Sequence, residues 1–409
     1  MTNCKRTANA RKPVLLVIAS TYPRWRGDCE PGFVHELSKR MTMDFDVTVL
    51  CPHTLDALRR EKIDGVDVVR YRYAPARWET LVNNGGIVTN LRRARWKYLL
   101  VPSFVFSQAW HVWRLIREGR VDIVHAHWLL PQGAVAAAMQ LLCRQKVPLI
   151  VTSHGADLYA LRGRLMRAMK RFVVHRAAKI TVVSAAMRDE LVRLGIQPER
   201  IETRSMGVNL LNKFSPDPAT RRSADELLFV GRLVEKKGLQ YLIDAMPAVL
   251  RARPSAFLTV AGFGPEQDAL REKVDRLGLR DKVTFLGAVP QEELPSLYRR
   301  AALFVAPFVK AHSGDEEGLG LVLVEAIGCG CPVLVGNVPA MADVLVDSSF
   351  DEVKVDARDT RALAGRIVAM LSDAEVIQKR ALALREAISE RFDWDHVADG
   401  YRRLLARTI

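Results

Sequence analysis

The chain has 409 residues, more than one hydrophobic core usually serves, so two domains are expected at roughly 100–200 residues each. A content of 49% apolar and 26% charged residues excludes a disordered chain. The formal net charge of +15 sits in the first half, where residues 1–205 carry 34 Lys and Arg against 17 Asp and Glu.

At the N-terminus, Lys5, Arg6, Arg11 and Lys12 precede the apolar run PVLLVIAS (13–20). That run is at the short limit of a signal-peptide core and leads into TYPRWRGD without a small-residue cleavage site, so it reads as a first β-strand. Further short apolar runs follow: DVTVLC (46–51), DVVRY (67–71), DIVHAH (122–127), LIVTSH (149–154) and KITVVS (179–184). Strands of this kind, buried on both faces and alternating with helical patterns, predict a parallel α/β sheet. Among them, LRRARWKYLLVPSFVFSQAWHVWRLIREGR (91–120) mixes Arg, Lys, Trp and Phe, which fits either a helix lying on anionic lipid or a core helix with a solvated basic flank. Its apolar stretch at 99–113 holds Pro102, Ser103, Gln108 and His111 and falls short of the ~18–20 residues of a membrane span.

The rhythm breaks at 206–225, where Pro216, Pro218 and polar residues form a linker, and resumes with LLFVGR (227–232), FLTVAG (257–262), KVTFLG (282–287), LFVAPF (303–308) and PVLVGN (332–337). A second doubly wound sheet is therefore expected. Ligands of such sheets sit beyond the carboxyl ends of the strands. The six cysteines, Cys4, Cys29, Cys51, Cys143, Cys329 and Cys331, contain no C-x-x-C pair, which favours a reducing compartment over a disulfide framework or a zinc ribbon.

Candidate chemistry gathers at strand ends. In DEEGLGLVLVEAIGCGCP (315–332), Glu317 and Glu325 stand eight apart around an apolar run. Read as one helix, the two are ~12 Å apart along the axis and ~80° around it, too far to share a metal ion but suited to the two ends of a long ligand. Glu325 then needs donors, from a structural Arg or Lys or from ligand hydroxyls. Gly318 and Gly320, flanking Leu319, let backbone N–H groups at the helix start approach an anion. Arg232 and Lys237 surround a helix start near Gly238, where the dipole opposes cations by ~0.3–1 kcal/mol; a phosphate between them resolves the conflict, while two solvated surface cations are the bland alternative. VAGFGPE (260–266) is a strand-to-helix turn with Pro265 at the first helical position, and lacks the third glycine of a dinucleotide fingerprint. His125, His127 and His154 lie at strand ends; His125 and His127 read as packed polar groups and His154 as a substrate contact, with a metal cluster of the three as the alternative. Asp157 is placed to orient His154 or the backbone of its loop. DFD (44–46) and DWD (393–395) read as element boundaries.

The combination of G-R-L-x-x-x-K-G at 231–238, the glutamates with seven residues between them in EGLGLVLVE, GCGCPVL at 328–334 and SHGAD at 153–157 resembles glycosyltransferase family 4, and the likeness runs from ASTYPRWRGD to the final FDWDHVADGYRRLL. The resemblance implies the GT-B fold, an α/β architecture of two Rossmann-like doubly wound domains facing across a cleft: 1–207 for the acceptor, 208–392 for the nucleotide sugar, and a C-terminal helix at 393–409 crossing back to the first. It implies retaining transfer from a UDP- or GDP-sugar to a sugar or lipid-linked acceptor, in cell-envelope, exopolysaccharide or glycolipid synthesis, with neither cofactor nor metal. Arg232 and Lys237 would neutralise the diphosphate, Glu325 would accept from ribose hydroxyls, and Glu317 and His154 would contact the transferred sugar. Gly318, Leu319, Gly320 and Gly262 would lie along the donor. After the first strand relatives carry a glycine pair, whereas here Gly27 is followed by Asp28, leaving Gly27 alone for a backbone contact to donor phosphate or acceptor. Competing readings are an epimerase or phosphorylase on the same fold, and a metal-dependent enzyme using the three histidines. The basic half fits a peripheral position on the inner, anionic face of a membrane from the cytoplasm; no nucleic-acid recognition motif accompanies it.

Overall fold

The computed structural model describes residues 11–28, 30, 32–83, 85–143, 146–346 and 348–409. Lys5, Arg6, Cys4 and Cys29 lie outside the described residues. Every apolar run read above as a strand forms one. The first sheet comprises β1 (Val14–Ile18), β2 (Asp46–Pro52), β3 (Arg60–Ile63), β4 (Val66–Tyr71), β5 (Ile123–His127), β6 (Leu149–Ser153), β7 (Lys179–Val182) and β8 (Ile201–Thr203), in the order β3-β4-β2-β1-β5-β6-β7-β8. All neighbours pair in parallel except β3, which runs antiparallel to β4. β3 and β8 were not expected from the sequence: β3 reads REKI, a short charged edge strand without an apolar run, and β8 has three residues.

The second sheet comprises β9 (Glu226–Val230), β10 (Phe257–Ala261), β11 (Val283–Gly287), β12 (Leu303–Ala306), β13 (Val333–Gly336) and β14 (Lys354–Val355), in the parallel order β11-β10-β9-β12-β13-β14. Only the two-residue β14 was unforeseen. β5, β6, β9, β12 and β13 are buried along their whole length, as helices on both faces require. The strand order reverses direction at β1/β5 and at β9/β12, so the crevices beyond these two switch points are the expected ligand positions.

The carboxyl ends of the two sheets meet across a cleft. Arg162 Nη2 donates to the Gly314 carbonyl (2.8 Å), and the Ala185 amide donates to the Asp343 carboxylate (3.0 Å). The last helix, Trp394–Ala406, returns to the first sheet: the Tyr401 ring stacks on His125 with centroids 5.8 Å apart, and its hydroxyl donates to the Arg204 carbonyl (3.2 Å). Its start is fixed by Asp393, whose carboxylate accepts from the amides of Asp395 (2.9 Å) and Leu210 (3.2 Å). DWD is thus a helix cap, and Asp46 of DFD opens β2, the element-boundary roles expected of both.

Candidate active site

The loop leaving β9 at the second switch point carries Gly231 and Arg232, then a 3₁₀ turn at Glu235–Lys237, and Gly238 in a left-handed conformation (φ 72°) opens the helix Leu239–Ala252. A Cβ on Gly238 would lie 1.7 Å from the Pro307 carbonyl oxygen, so only glycine brings this loop against the segment leaving β12. That segment holds Asp315, Glu316 and Glu317. Lysines answer all three: Lys236 Nζ lies 3.2 Å from Asp315, Lys310 pairs with Glu316, and Lys237 Nζ lies 2.8 Å from Glu317 Oε2. Burial alone would raise the Glu317 pKa, but the field of Lys237, then of Lys236, overcomes it and holds the carboxyl at about 2. Lys237 Nζ also sits 4.5 Å over the Phe308 ring.

One geometric expectation fails. The helix begins only at Leu321, behind Gly320 with φ 80°, so Glu317 stands in the preceding loop and the eight-step helical spacing to Glu325 does not apply. Glycines flanking Leu319 break the helical repeat there, which an apolar pattern does not reveal. Pro265 is likewise in the turn, two residues before the helix Gln267–Arg276.

Glu325, 6% exposed, is paired with neither Arg nor Lys among the described residues. It accepts from the Tyr298 hydroxyl (3.0 Å) and from Gln291 Nε2 (3.3 Å). Burial, only partly offset by these two bonds, pushes it up to about 7. Gln291 ties it to the loop after β11, which together with Val230, Arg232, Phe263, Ala288, Val289 and Leu294 borders a mostly apolar pocket of about 110 Å³. Gly262 shapes this pocket from below: its φ is 143° and a Cβ would fall 1.9 Å from the Gly231 carbonyl oxygen. Arg232 is exposed at the rim, and its Nη2 donates across the cleft to Thr89 Oγ1 (2.7 Å). Lys237, by contrast, is mostly buried and paired, so the alternative of two solvated cations weighed above fits the exposed Arg232 and fails for Lys237.

From the first sheet, β5 and β6 deliver His127 and His154 to the same place. Gly155 (φ 108°) turns the chain after His154, and its Cβ position is 3.2 Å from the Gly318 Cα; a Cβ on Gly318 would sit 2.8 Å from the His154 carbonyl oxygen. The two loops thus close the cleft backbone to backbone. The half-buried His154 ring is packed by Phe33 (centroids 4.9 Å) and Trp128 (5.0 Å), the latter at φ 77°. Asp157, 3% exposed, accepts from Ser153 Oγ (3.0 Å) and from the amides of Leu129 (2.7 Å) and His154 (3.3 Å), so it orients the loop backbones, not the imidazole.

The three histidines do not converge on a metal position. His127 Nδ1 is 2.9 Å from His154 Nε2, while His125 Nε2 turns away to Thr152 Oγ1 (2.7 Å), and no metal-holding group of three His, Cys, Asp or Glu side chains occurs among the described residues. The donors that a shared ion would need already bond one another or a threonine. Burial drives His125 down to about 3; burial, helped by His125, does the same for His154, so both rings are neutral.

Leu319 is buried, and its side chain lines a separate cavity of about 250 Å³ with Arg204, Asp343, Arg391 and His396. Gly27 (φ 81°) is exposed with open space around it. Thr89, Gln291 and Tyr298 were not foreseen and carried no sequence signal; His127 was read as a packed polar group from its place two residues after His125 on a buried strand, and its contact with His154 is what the sequence did not reveal. Cys51, Cys143, Cys329 and Cys331 are free thiols. No described helix is long and apolar enough to cross a membrane.

Comparison with known proteins agrees with this geometry. The family described as Glycosyl transferases group 1 matches residues 213–391, and the Glycosyl transferase 4-like domain matches 33–207. Glycogen synthase of Mycobacterium tuberculosis is 30% identical over 291 residues, 69% of this chain and 68% of that one. A GDP-mannose-dependent alpha-(1-6)-phosphatidylinositol monomannoside mannosyltransferase of the same species is 28% identical over 295 residues, covering 70% and 76%. In three dimensions, sucrose-phosphate synthase from Thermosynechococcus elongatus superposes with a TM-score of 0.77 at 22% identity over 97% of this chain and 100% of the other. HepE from Anabaena, solved with UDP and glucose, gives 0.70 at 18% identity over 97% and 100%. These likenesses establish the fold as GT-B.

Proposed function

The chain belongs to the group 1, family 4-like glycosyltransferases, and on that premise we propose that it moves a sugar from a UDP- or GDP-sugar to a hydroxyl of a sugar or lipid-linked acceptor, with retention of anomeric configuration and without a metal. The observation that carries the reading is the convergence at one switch point of Arg232, the Lys237–Glu317 pair, the buried Glu325 held only by Tyr298 and Gln291 among the described residues, and the His154–Gly318 closure. The apolar pocket beside Phe263 and Val289 suits a nucleobase. Glu325, next to it through Gln291, accepts from the adjoining pentose hydroxyls. Arg232 leaves Thr89 for the diphosphate, where Lys237 and the amides from Gly318 to Gly320 add to the stabilisation of leaving-group charge in place of a metal. Glu317 and His154 face the transferred sugar, and retention follows if the departing phosphate oxygen takes the acceptor's proton on the same face. We place the domain division at 207/208, the donor on the second domain and the acceptor on the first.

A lipid-linked acceptor suits the first domain, and with it a role in cell-envelope, exopolysaccharide or glycolipid synthesis. The 3₁₀ turn Arg95–Leu99 and the helix Leu100–Arg117 expose Trp96, Tyr98, Leu99, Phe106 and Trp110 beside Arg93, Arg95, Arg114 and Arg117. Aromatic and aliphatic groups among arginines suit an anionic bilayer, which supports a peripheral position on a membrane's inner face.

Thermal unfolding with UDP, GDP and their sugars tests the reading: a ligand at ~100 times its Kd adds ~2.7 kcal/mol of stability. Arg232→Ala is expected to lose most transfer with the fold kept, the product's anomeric configuration to match the donor's, and EDTA to leave the rate unchanged. Wild-type activity in Arg232→Ala would remove the donor-site assignment.

A further inference from the structure

The contact between His127 and His154 has a polarity, and the surroundings of His127 decide it. Their ring nitrogens are 2.9 Å apart with the ring planes 12° from parallel. Both rings are buried enough to be neutral: burial, with His125 and His154 nearby, holds His127 well below the usual range. A neutral imidazole has one donor and one acceptor nitrogen, so a single proton lies between the two rings. If His154 donated it from Nε2, His127 would carry its own proton on Nε2. That nitrogen is fully buried and has no hydrogen-bonding partner among the described residues. Buried N–H groups without an acceptor are rarer in folded proteins than unfilled acceptors, so the alternative is favoured: His127 Nδ1–H donates, and the unpaired atom is a lone pair.

We infer that His127 is a positioning residue that locks His154 in the Nδ1–H tautomer, so that this ring offers a hydrogen-bond donor to a ligand oxygen in the cleft. Among the described residues nothing else bonds the imidazole of His154, whose only other hydrogen bond is its backbone amide to Asp157. A packed environment supports the arrangement: His127 lies 4.3 Å from His125, which is itself anchored through Thr152 to Thr181 (2.5 Å). Which ring nitrogen carries the proton is generally set by the bond the other makes, and here that bond comes from an imidazole instead of a carboxylate or carbonyl. The consequence for catalysis rests on the proposed placement of His154 against the donor sugar: a fixed N–H can bind a sugar or phosphate oxygen, whereas the other tautomer would present a lone pair to it.

The test is ¹⁵N-detected imidazole NMR on the full-length protein without added nucleotide, with His154 assigned by its loss in His154→Ala. His154 is expected to show a protonated Nδ1 and a bare Nε2. His127→Phe removes the donor and should release His154 to mixed or Nε2–H tautomers, with kcat falling about tenfold or more at a nearly unchanged donor KM. His127→Asn, whose amide nitrogen can stand where Nδ1 stood, should restore both. A wild-type His154 protonated at Nε2, or a tautomer unmoved in His127→Phe, overturns the inference. A tautomer that shifts as expected while neither His127→Phe nor His154→Ala slows transfer would uphold the positioning by His127 and instead remove His154 from the donor site.

Discussion

Glu325→Gln should stabilise the ligand-free protein while destroying its activity, and the stabilisation should depend on pH in a definite sense. The wild-type carboxyl has its pKa raised from 4.5 to about 7 by burial, with Tyr298 and Gln291 as its donors. The folded protein therefore binds this proton more tightly than the unfolded chain. Any stability it lends is fully present below pH 4.5 and is lost as the pH rises through about 7. A shift of two to three units at ~1.4 kcal/mol each means that ionisation costs the folded wild type roughly 3 kcal/mol above neutrality. Glutamine keeps the size, can accept from Tyr298, and can donate to Gln291 once that amide flips, so it avoids the cost. Thermal unfolding of both proteins from about pH 5 to about pH 8.5 should thus show a difference that grows by roughly 3 kcal/mol in favour of the variant. A difference that stays constant across this range would refute the assignment of a raised pKa to Glu325. In the same variant, loss of the carboxylate proposed to accept from the pentose hydroxyls should remove most transfer, a trade of stability for function expected at a binding site.

Lys237→Met should leave Glu317 as a buried carboxylate without its ion-pair partner, supported only by the field of Lys236 and the Gly318 amide, destabilising the protein by up to about 3–5 kcal/mol near neutral pH; adding Glu317→Gln should restore the denaturation midpoint but not the activity. Since Glu317 titrates at about 2 when paired, the wild-type pair contributes stability above pH 4.5 that fades as the pH falls toward 2, and acid unfolding of the double variant should lack this component. Gly318→Ala sets a methyl 2.8 Å from the His154 carbonyl oxygen and 3.5 Å from Met187 Sδ, so the cleft loops must part; kcat should drop at least tenfold, since misplacement by about 1 Å can cost ~100-fold, with the unfolding temperature nearly unchanged. Changing Leu99, Phe106 and Trp110 together to Ser should abolish co-sedimentation with anionic vesicles at low salt and leave transfer to a soluble acceptor intact. Wild-type protein that never sediments would remove the membrane proposal.

What the sequence made legible follows from the kind of interaction that fixes each feature. Strands buried on both faces announce themselves as unbroken apolar runs, and all eleven such runs became strands, whereas β3, β8 and β14 are held by edge pairing with few apolar residues and left no pattern. Arg232, Lys237, Glu317 and Glu325 were legible because charged groups stood beside glycines or inside an apolar run, an arrangement that costs free energy unless a partner exists. The identity of those partners was not legible, since Tyr298, Gln291 and Thr89 lie 27 to 143 residues away and look like ordinary polar positions. His127 marks the same limit more finely. Its burial could be read from its strand, but its consequence depends on an unpartnered nitrogen and a 2.9 Å contact, which only the packing of β5 against β6 creates. A sequence pattern exposes where a fold carries an electrostatic cost; the neighbours brought by the sheet determine whether a ligand, a lysine or another histidine compensates it.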